Sequence, residues 1–157
     1  MRCDFALPFI CMANIATGCD HGGFTLKTLL NEYLADLGHN VIDLGTHSNE
    51  RVDYPDFAEI VAKAVASGDA EFGMLVCGSG IGVCMAANKI PGIRAATIHD
   101  VTSAHLSREH NDANIICLGE RLIGPEVAKE ALKVFLESDF QEGRHSARVQ
   151  KMNRILE

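Results

Sequence analysis

Cys77 and the glycines that follow it have the residue types and the spacing to do chemistry. The segment Cys77-Gly78-Ser79-Gly80-Ile81-Gly82 joins an apolar run to an amphipathic one, as a turn between a strand and a helix does. Glycines at alternate positions let successive backbone N–H groups converge on an anion, and the start of a helix also favours negative charge. A dinucleotide fingerprint needs glycine where Val83 stands, and no Gly-Lys-Ser/Thr follows. The loop therefore predicts a general anion cradle.

Cys77 itself lies at the end of a predicted strand, just before that cradle. This environment favours the thiolate, which can act as a base or as a nucleophile. A phosphatase loop of the Cys-x5-Arg type is excluded, since Val83 is the sixth residue after Cys77. Taken alone, a cysteine at a strand end is more often a small buried residue. Cys84, between Val83 and Met85, is predicted to serve packing only.

Two of the seven histidines lie where a proton donor could be useful. His21 opens a predicted helix beside Asp20, and His110 closes another, where the helix C-terminus favours the protonated imidazole. His99 follows a strand and is a reserve candidate. The pattern predicts that three others are structural or exposed to solvent: His105 in mid-helix, and His39 and His47 in polar turns.

Basic residues collect near the C-terminus. Arg144, Arg148 and Lys151 follow at i, i+4 and i+7, hence on one helical face, with Val149 and Met152 beside it. The whole chain carries a net charge of −7, which repels a phosphorylated metabolite unless basic side chains are gathered in one place. Because planar guanidinium groups suit phosphate, this face is a candidate phosphate clamp.

Composition excludes several classes of partner. The 14 Lys and Arg residues against 21 Asp and Glu make nucleic acid and anionic membranes poor partners. No apolar run approaches the ~18 residues that a membrane span needs. The six cysteines form no Cys-x-x-Cys pair, which favours free thiols in a reducing compartment over disulfides or a zinc site. We therefore expect a cytoplasmic protein without metal.

The predicted elements bring the polar segments to one edge of a sheet. Apolar runs predict five strands, at 15–17, 40–43, 72–77, 93–98 and 114–118. Amphipathic segments predict helices at 24–37, 55–67, from the glycine loop to about 89, and at 101–110, 125–136 and 144–156. Continuous apolar strands that alternate with helices indicate a parallel sheet covered on both faces. Ligands of such sheets bind beyond the carboxyl ends of the strands.

Residues 14–157 are predicted to form one domain, since 157 residues suit a single core. Residues 1–13 stand apart from it. Their short apolar stretch contains a proline and only faintly resembles a signal peptide. The favoured interpretation is an N-terminal extension, with Met12 as an alternative start.

Many motifs, in order along nearly the whole chain, resemble the ribose-5-phosphate isomerase B family, which belongs with the galactose-6-phosphate isomerase subunits. The resemblance runs from about Asn14 to Arg148 and leaves residues 1–13 outside. It is carried by seven segments: Gly18 to Phe24, Asp53-Tyr54-Pro55, Cys77 to Gly82, Ala86 to Lys89, Gly92 to Ala95, Ser107 to Asn114, and Gly143-Arg144-His145.

The resemblance implies a Rossmann-like three-layer α/β/α sandwich with a five-stranded parallel sheet. It also implies a homodimer or a tetramer of dimers with each site at the dimer interface. The reaction would be the cofactor-free interconversion of ribose 5-phosphate and ribulose 5-phosphate through an enediolate. Cys77 would be the base, His110 the acid for ring opening, and Ser79 a holder of the enediolate. The implied contacts to the sugar phosphate are Asp20, His21, Tyr54, Gly78, Ser79, Gly80, Ile81, Gly82, Asn111, Arg121, Arg144 and Arg148.

Two departures and two alternatives accompany this resemblance. Ser79 stands where many relatives have threonine, which keeps the hydroxyl. One branch of the family has a carboxylate as the base where this chain has Val83, so Cys77 is the base candidate in this loop.

Two alternative functions stay open. A hexose 6-phosphate, such as allose or galactose 6-phosphate, could occupy the same site, because pocket length decides between the sugars. A non-catalytic nucleotide-binding module is suggested by Gly22-Gly23 and by Asp43 about twenty residues later.

Overall fold

The structure is a computed structural model that describes residues 12–156. Its centre is a five-stranded, all-parallel sheet with strand order β2-β1-β3-β5-β4. The strands are β1 (Asn14–Cys19), β2 (Asn40–Asp43), β3 (Phe72–Cys77), β4 (Ala95–Thr97) and β5 (Ile115–Gly119). The helices are α1 (Phe24–Asp36), α2 (Tyr54–Ala66), α3 (Ile81–Ala87), α4 (Val101–Asn111), α5 (Pro125–Glu137) and α6 (Ser146–Asn153). Short 3-10 turns stand at His21–Gly23, Gly143–His145 and Arg154–Leu156.

Two apolar layers cover the two faces of the sheet. Successive side chains of a strand point to opposite faces, so Met74 and Val76 of β3 pack with α1, α4 and α5, while Leu75 and Cys77 pack with α2 and α3. The chain therefore has the predicted three-layer α/β/α architecture. Cys77 faces the side of the sheet that α2 and α3 cover.

The direction of α4 decides where its last residues lie. The helix begins after β4, at the carboxyl edge of the sheet, and ends just before β5 starts at the amino edge. The backbone N–H of Asn114 donates to Arg94 O, 3.0 Å away, which puts this end of α4 beside the start of β4. At a rise of 1.5 Å per residue, the distance along α4 from its first residue, Val101, to its last, Asn111, is about 15 Å. His110 and Asn111 thus lie at the edge opposite to Cys77.

Several local predictions need correction. β4 is shorter than predicted, because as an edge strand it pairs with β5 through Ala95–Thr97 alone. α3 ends at Ala87, since the side chain of Asn88 turns back to accept from Ala95 N and to donate to Ala95 O, both 2.9 Å away. The prediction that His39 is exposed is wrong. Its ring is buried, and Nδ1 accepts a hydrogen bond from the backbone N–H of Ala13 across 3.3 Å.

The predicted N-terminal extension lies, except for Met12 and Ala13, outside the described residues. Within residues 12–156, no helix combines the length and the apolar character that crossing a membrane requires.

Candidate active site

Cys77 ends β3 with its sulfur against the glycine loop. The backbone N–H of Gly80 donates to Cys77 Sγ across 3.1 Å. Gly80 has φ = 75° and lies so close to β5 that a Cβ there would stand 2.8 Å from Leu118 C. A residue other than glycine would collide with backbone at this point, so the loop needs glycine to approach β5 and wrap around the sulfur.

Asp20 and His21 stand beside Cys77, at the carboxyl end of the adjacent strand β1. The buried carboxylate of Asp20 accepts from Gly22 N at 2.9 Å, and the backbone N–H of Asp20 donates to Val76 O at 3.3 Å. His21 Nδ1 lies 3.3 Å from Val52 O, which ties this turn to the loop before α2. The sequence-predicted pair is therefore attached both to the strand of Cys77 and to the loop that leads to Tyr54.

Tyr54 and Arg121 close the two sides of the glycine loop. A Cβ on Gly82 would stand 2.8 Å from Tyr54 Cζ, so the phenol ring packs directly on the start of α3. A Cβ on Gly78 would stand 3.3 Å from Arg121 Cζ, and Arg121 N donates to Gly78 O across 3.1 Å. We call the residues gathered here the loop cluster: Asp20, His21, Tyr54, Cys77, Gly78, Ser79, Gly80, Ile81, Gly82 and Arg121.

The other predicted residues gather at the far end of α4. The rings of His110 and His145 stack with centroids 4.4 Å apart and planes 7° apart. Arg144 Nε lies within hydrogen-bond distance of His145 Nε2, at 3.2 Å. A pocket of about 290 Å³ opens beside the stack and is lined by His110, Asn111, His145, Arg148, Val149 and Met152. We call His110, Asn111, Arg144, His145 and Arg148 the basic cluster.

His145 is the residue of this cluster to which the sequence assigned no role. Its ring is buried, and burial together with the positive charges of His110 and Arg144 lowers its pKa below the usual 6.5. Glu109 faces the neighbouring ring, with its Oε2 3.5 Å from His110 Nε2. The position of His145 directly after Arg144, inside a motif already recognised, was the available signal.

The structure therefore divides the predicted site residues between two edges of one sheet. The loop cluster lies at the carboxyl edge, and the basic cluster lies at the opposite edge, at the far end of α4, a helix about 15 Å long. Lys151, predicted on the basic face, is exposed and does not line the pocket. Arg121 belongs to the loop cluster, so each edge has at least one guanidinium group.

Cys84 packs against the apolar layer formed with α2 and α3, as predicted, but it also makes polar contacts that the sequence did not predict. Its side chain is only partly buried, and Sγ lies 3.3 Å from Ala95 O. A hydrogen bond from the buried thiol of Cys117 lowers the pKa of Cys84 to about 6, against the effect of burial. The contacts of Cys84 lie along β4 and with Asn88, away from Asp20 and His21. Within residues 12–156, no three His, Cys, Asp or Glu side chains are grouped as metal ligands.

In sequence and in fold, the chain is similar to known sugar-phosphate isomerases. Residues 15–152 match the family model described as Ribose/Galactose Isomerase. The chain is 46% identical over 144 residues to ribose-5-phosphate isomerase B of Escherichia coli (strain K12), which covers 92% of this chain and 97% of that protein. It is 42% identical over 142 residues to the D-erythrulose-4-phosphate isomerase of Pectobacterium atrosepticum, with 90% and 93% covered. The solved structure of Clostridium thermocellum ribose-5-phosphate isomerase B gives a TM-score of 0.90 at 50% identity, with 90% and 96% covered.

Proposed function

Since the chain belongs to the ribose/galactose isomerase family and is a sugar-phosphate isomerase of the ribose-5-phosphate isomerase B type, we propose that it interconverts ribose 5-phosphate and ribulose 5-phosphate without a cofactor. The observation that carries this proposal is the sulfur of Cys77, held 3.1 Å from Gly80 N at the mouth of a glycine loop. Family membership as an isomerase removes the alternative of a non-catalytic nucleotide-binding module.

Cys77 acts as the base on the open-chain sugar. Its thiolate takes the proton from C2 of the aldose, and the electrons of that bond form the C1–C2 double bond of an enediolate. The resulting thiol returns the proton to C1, while a second proton passes from O2 to O1, so no atom or electron is gained or lost. A positioned base of this kind contributes about 10²- to 10⁴-fold to the rate.

The glycine loop stabilises the intermediate. Negative charge develops on the oxygens at C1 and C2, and N–H donors already in place cost no reorganisation when it appears. The donors we assign are the backbone N–H groups of Gly78 to Gly82 and the hydroxyl of Ser79. Ser79 Oγ accepts a hydrogen bond from Ile81 N at 3.3 Å, which orients the hydroxyl at the start of α3.

His110 opens the sugar ring and the arginines hold the phosphate. As an imidazolium, His110 gives a proton to the ring oxygen as its bond to C1 breaks, and the C1 hydroxyl gives its proton to solvent water, which leaves the open-chain aldehyde. Arg144 and Arg148 bind the phosphate from the basic cluster, and Arg121 binds it from the loop cluster. Asp20, His21, Tyr54 and Asn111 contact the sugar or the phosphate.

These roles need two copies of the chain, because the clusters lie at opposite edges of the sheet, at the two ends of its strands. We infer a homodimer, or a tetramer of dimers, in which the loop cluster of one copy meets the basic cluster of the other. Exposed apolar side chains adjoin both clusters and support this arrangement: Ile81 in the glycine loop, Met85 on α3 just after it, and Met152 on the pocket that Arg148 also lines. The free thiols of the described residues support a reducing compartment, the cytoplasm, as its location.

A hexose 6-phosphate remains the second candidate substrate at this same site. The relative named for D-erythrulose 4-phosphate indicates that the family accepts sugars of more than one length. The pentose is preferred here if kcat/KM for ribose 5-phosphate exceeds the values for allose 6-phosphate and galactose 6-phosphate. A higher value for either hexose would replace the proposed substrate and leave the site assignment intact.

A further inference from the structure

The strongest feature that the proposed reaction leaves unexplained is the buried ring of His145. It stands between two residues with different tasks, since one face stacks on His110 and Nε2 lies 3.2 Å from Arg144 Nε. Only 7% of the residue is exposed, although it belongs to a one-turn 3-10 segment at the surface. A histidine fixed on both sides can hold both neighbours in place.

Burial and nearby positive groups lower the pKa of His145, which disfavours the charged form of this ring. His110 and Glu109 face it from α4, Arg144 from the preceding turn position and Arg148 from α6. Three of these four groups carry or can carry positive charge, so a second proton on the stacked pair would be repelled. On the side away from the stack, His145 Nε2 is free to accept from Arg144 Nε, while the carboxylate of Glu109 faces the ring of His110.

We propose that His145 is a positioning residue with two separable contacts: its ring is the platform for His110, and its Nε2 is the acceptor that orients Arg144. The inference rests on the roles proposed above for His110 and Arg144. It adds that the acid for ring opening and the phosphate-binding guanidinium are held by one side chain.

Two substitutions separate the contacts. His145→Phe keeps a flat ring for stacking but has no acceptor, so we expect KM for ribose 5-phosphate to rise about three- to tenfold while kcat changes less than about threefold. His145→Ala loses both contacts, so we expect the same rise in KM and a fall in kcat of about tenfold or more. The pH profile of kcat should keep its shape in His145→Phe, because the proposed acid, His110, and its stacked ring are both retained.

His105→Phe is the matched control. His105 also lies on α4 and contacts Glu109, at 3.4 Å, but it is half exposed and outside the stack. We expect both kinetic constants to stay within about twofold of wild type. Thermal unfolding of each variant shows whether it is folded. If His145→Ala is unfolded, the kinetics of His145→Phe alone test the proposal.

Binding of inorganic phosphate, measured by calorimetry on the assembled protein, gives a readout that does not depend on turnover. We expect the Kd to rise about three- to tenfold in His145→Phe and to stay constant in His105→Phe. If the wild type binds phosphate with this pattern but isomerises no sugar phosphate, the proposed function and the role of His145 toward His110 fail, and its role toward Arg144 stands. Unchanged phosphate affinity in His145→Phe, or equal kcat in a folded His145→Ala and wild type, would overturn the inference.

Discussion

The backbone N–H of Gly80 points at the sulfur of Cys77 from 3.1 Å, so the proposed base and the proposed enediolate cradle are one rigid unit. Gly80 is held in turn by β4 and β5. Thr97 Oγ1 donates to Gly80 O across 3.3 Å, and the backbone of Leu118 lies directly beneath the glycine. The position of the sulfur is thus set by three strands of the sheet rather than by its own loop alone.

Replacing Cys77 tests the base directly. Cys77→Ala should fold, because it removes one small side chain, and should lower kcat for ribose 5-phosphate by about 10²- to 10⁴-fold. Cys84→Ala is the control, and we expect it to keep activity although the Cys84 thiol has the lower-than-usual pKa of about 6. The isomerase assay on both variants decides between the two sulfurs. Loss of activity in Cys84→Ala alone would transfer the role of base to Cys84.

Replacing Gly80 tests the rigidity of the unit. Both Gly80 and Gly92 have positive φ, 75° and 82°, but a Cβ on Gly92 meets nothing within 4 Å. Gly92→Ala should therefore lower the free energy of unfolding by about 1–2 kcal/mol through backbone strain alone. Gly80→Ala adds a collision with Leu118 and should cost about 3 kcal/mol or more. Urea unfolding measures both. Equal losses would mean that the loop moves away from β5 at little cost.

Local patterns could predict most elements and the loop cluster. The glycine loop, Cys77 and Asp20-His21 follow strands, and parallel strands bring their carboxyl ends to one edge whatever their order. The order β2-β1-β3-β5-β4 could not be predicted, because the three central strands are apolar on both faces and carry no mark of their neighbours. The division of the site between two edges follows from the direction of α4, which becomes clear only once its neighbours are known.

The sequence also did not predict which polar side chains are buried. Lys27 is fully buried, and its Nζ bonds to Asp43 Oδ1 at 2.6 Å and to Thr46 O at 2.9 Å. Its spacing from Leu30 and Leu34 places it on the apolar face of α1, which was a usable signal. No such pattern marks His39 or His145, because the groups that bury and pair them come from other parts of the chain.

The basic cluster predicts which residue governs phosphate affinity. Arg148 lines the pocket beside His110, so Arg148→Ala should raise KM for ribose 5-phosphate by about tenfold or more, as expected for a lost charged hydrogen bond. Lys151→Ala removes a charge from the same helix but outside the pocket, and KM should change less than about twofold. Steady-state kinetics distinguish the two. Similar increases in both variants would indicate general attraction by the helix instead of a defined contact.

Stability should fall as the pH drops below 6.5, in part because of His39. Burial lowers the pKa of His39 in the folded protein below the usual 6.5, so the unfolded chain binds more protons at pH values just under 6.5. The contribution of uncharged His39 to the free energy of unfolding is complete above pH 6.5 and is lost as the pH falls through the folded-state pKa. Burial lowers the pKa of His145 as well, so His145 changes the stability in the same direction. His39→Gln should reduce the difference in urea midpoint between pH 7.5 and 5.5. An identical difference in variant and wild type would assign the effect to other groups.

Complementation between two inactive variants tests the shared site. Cys77→Ala damages the loop cluster and His110→Ala the basic cluster, so each homodimer has two defective sites. A mixed dimer joins both defects in one site and leaves the other site intact. Because half of randomly assembled dimers are mixed, co-refolding equal amounts should restore about a quarter of wild-type activity. Co-refolding Cys77→Ala with Cys77→Ser is the control and should restore none. If the first mixture is no more active than its components, the two clusters do not meet across an interface, and Cys77 and His110 would have to work in separate sites.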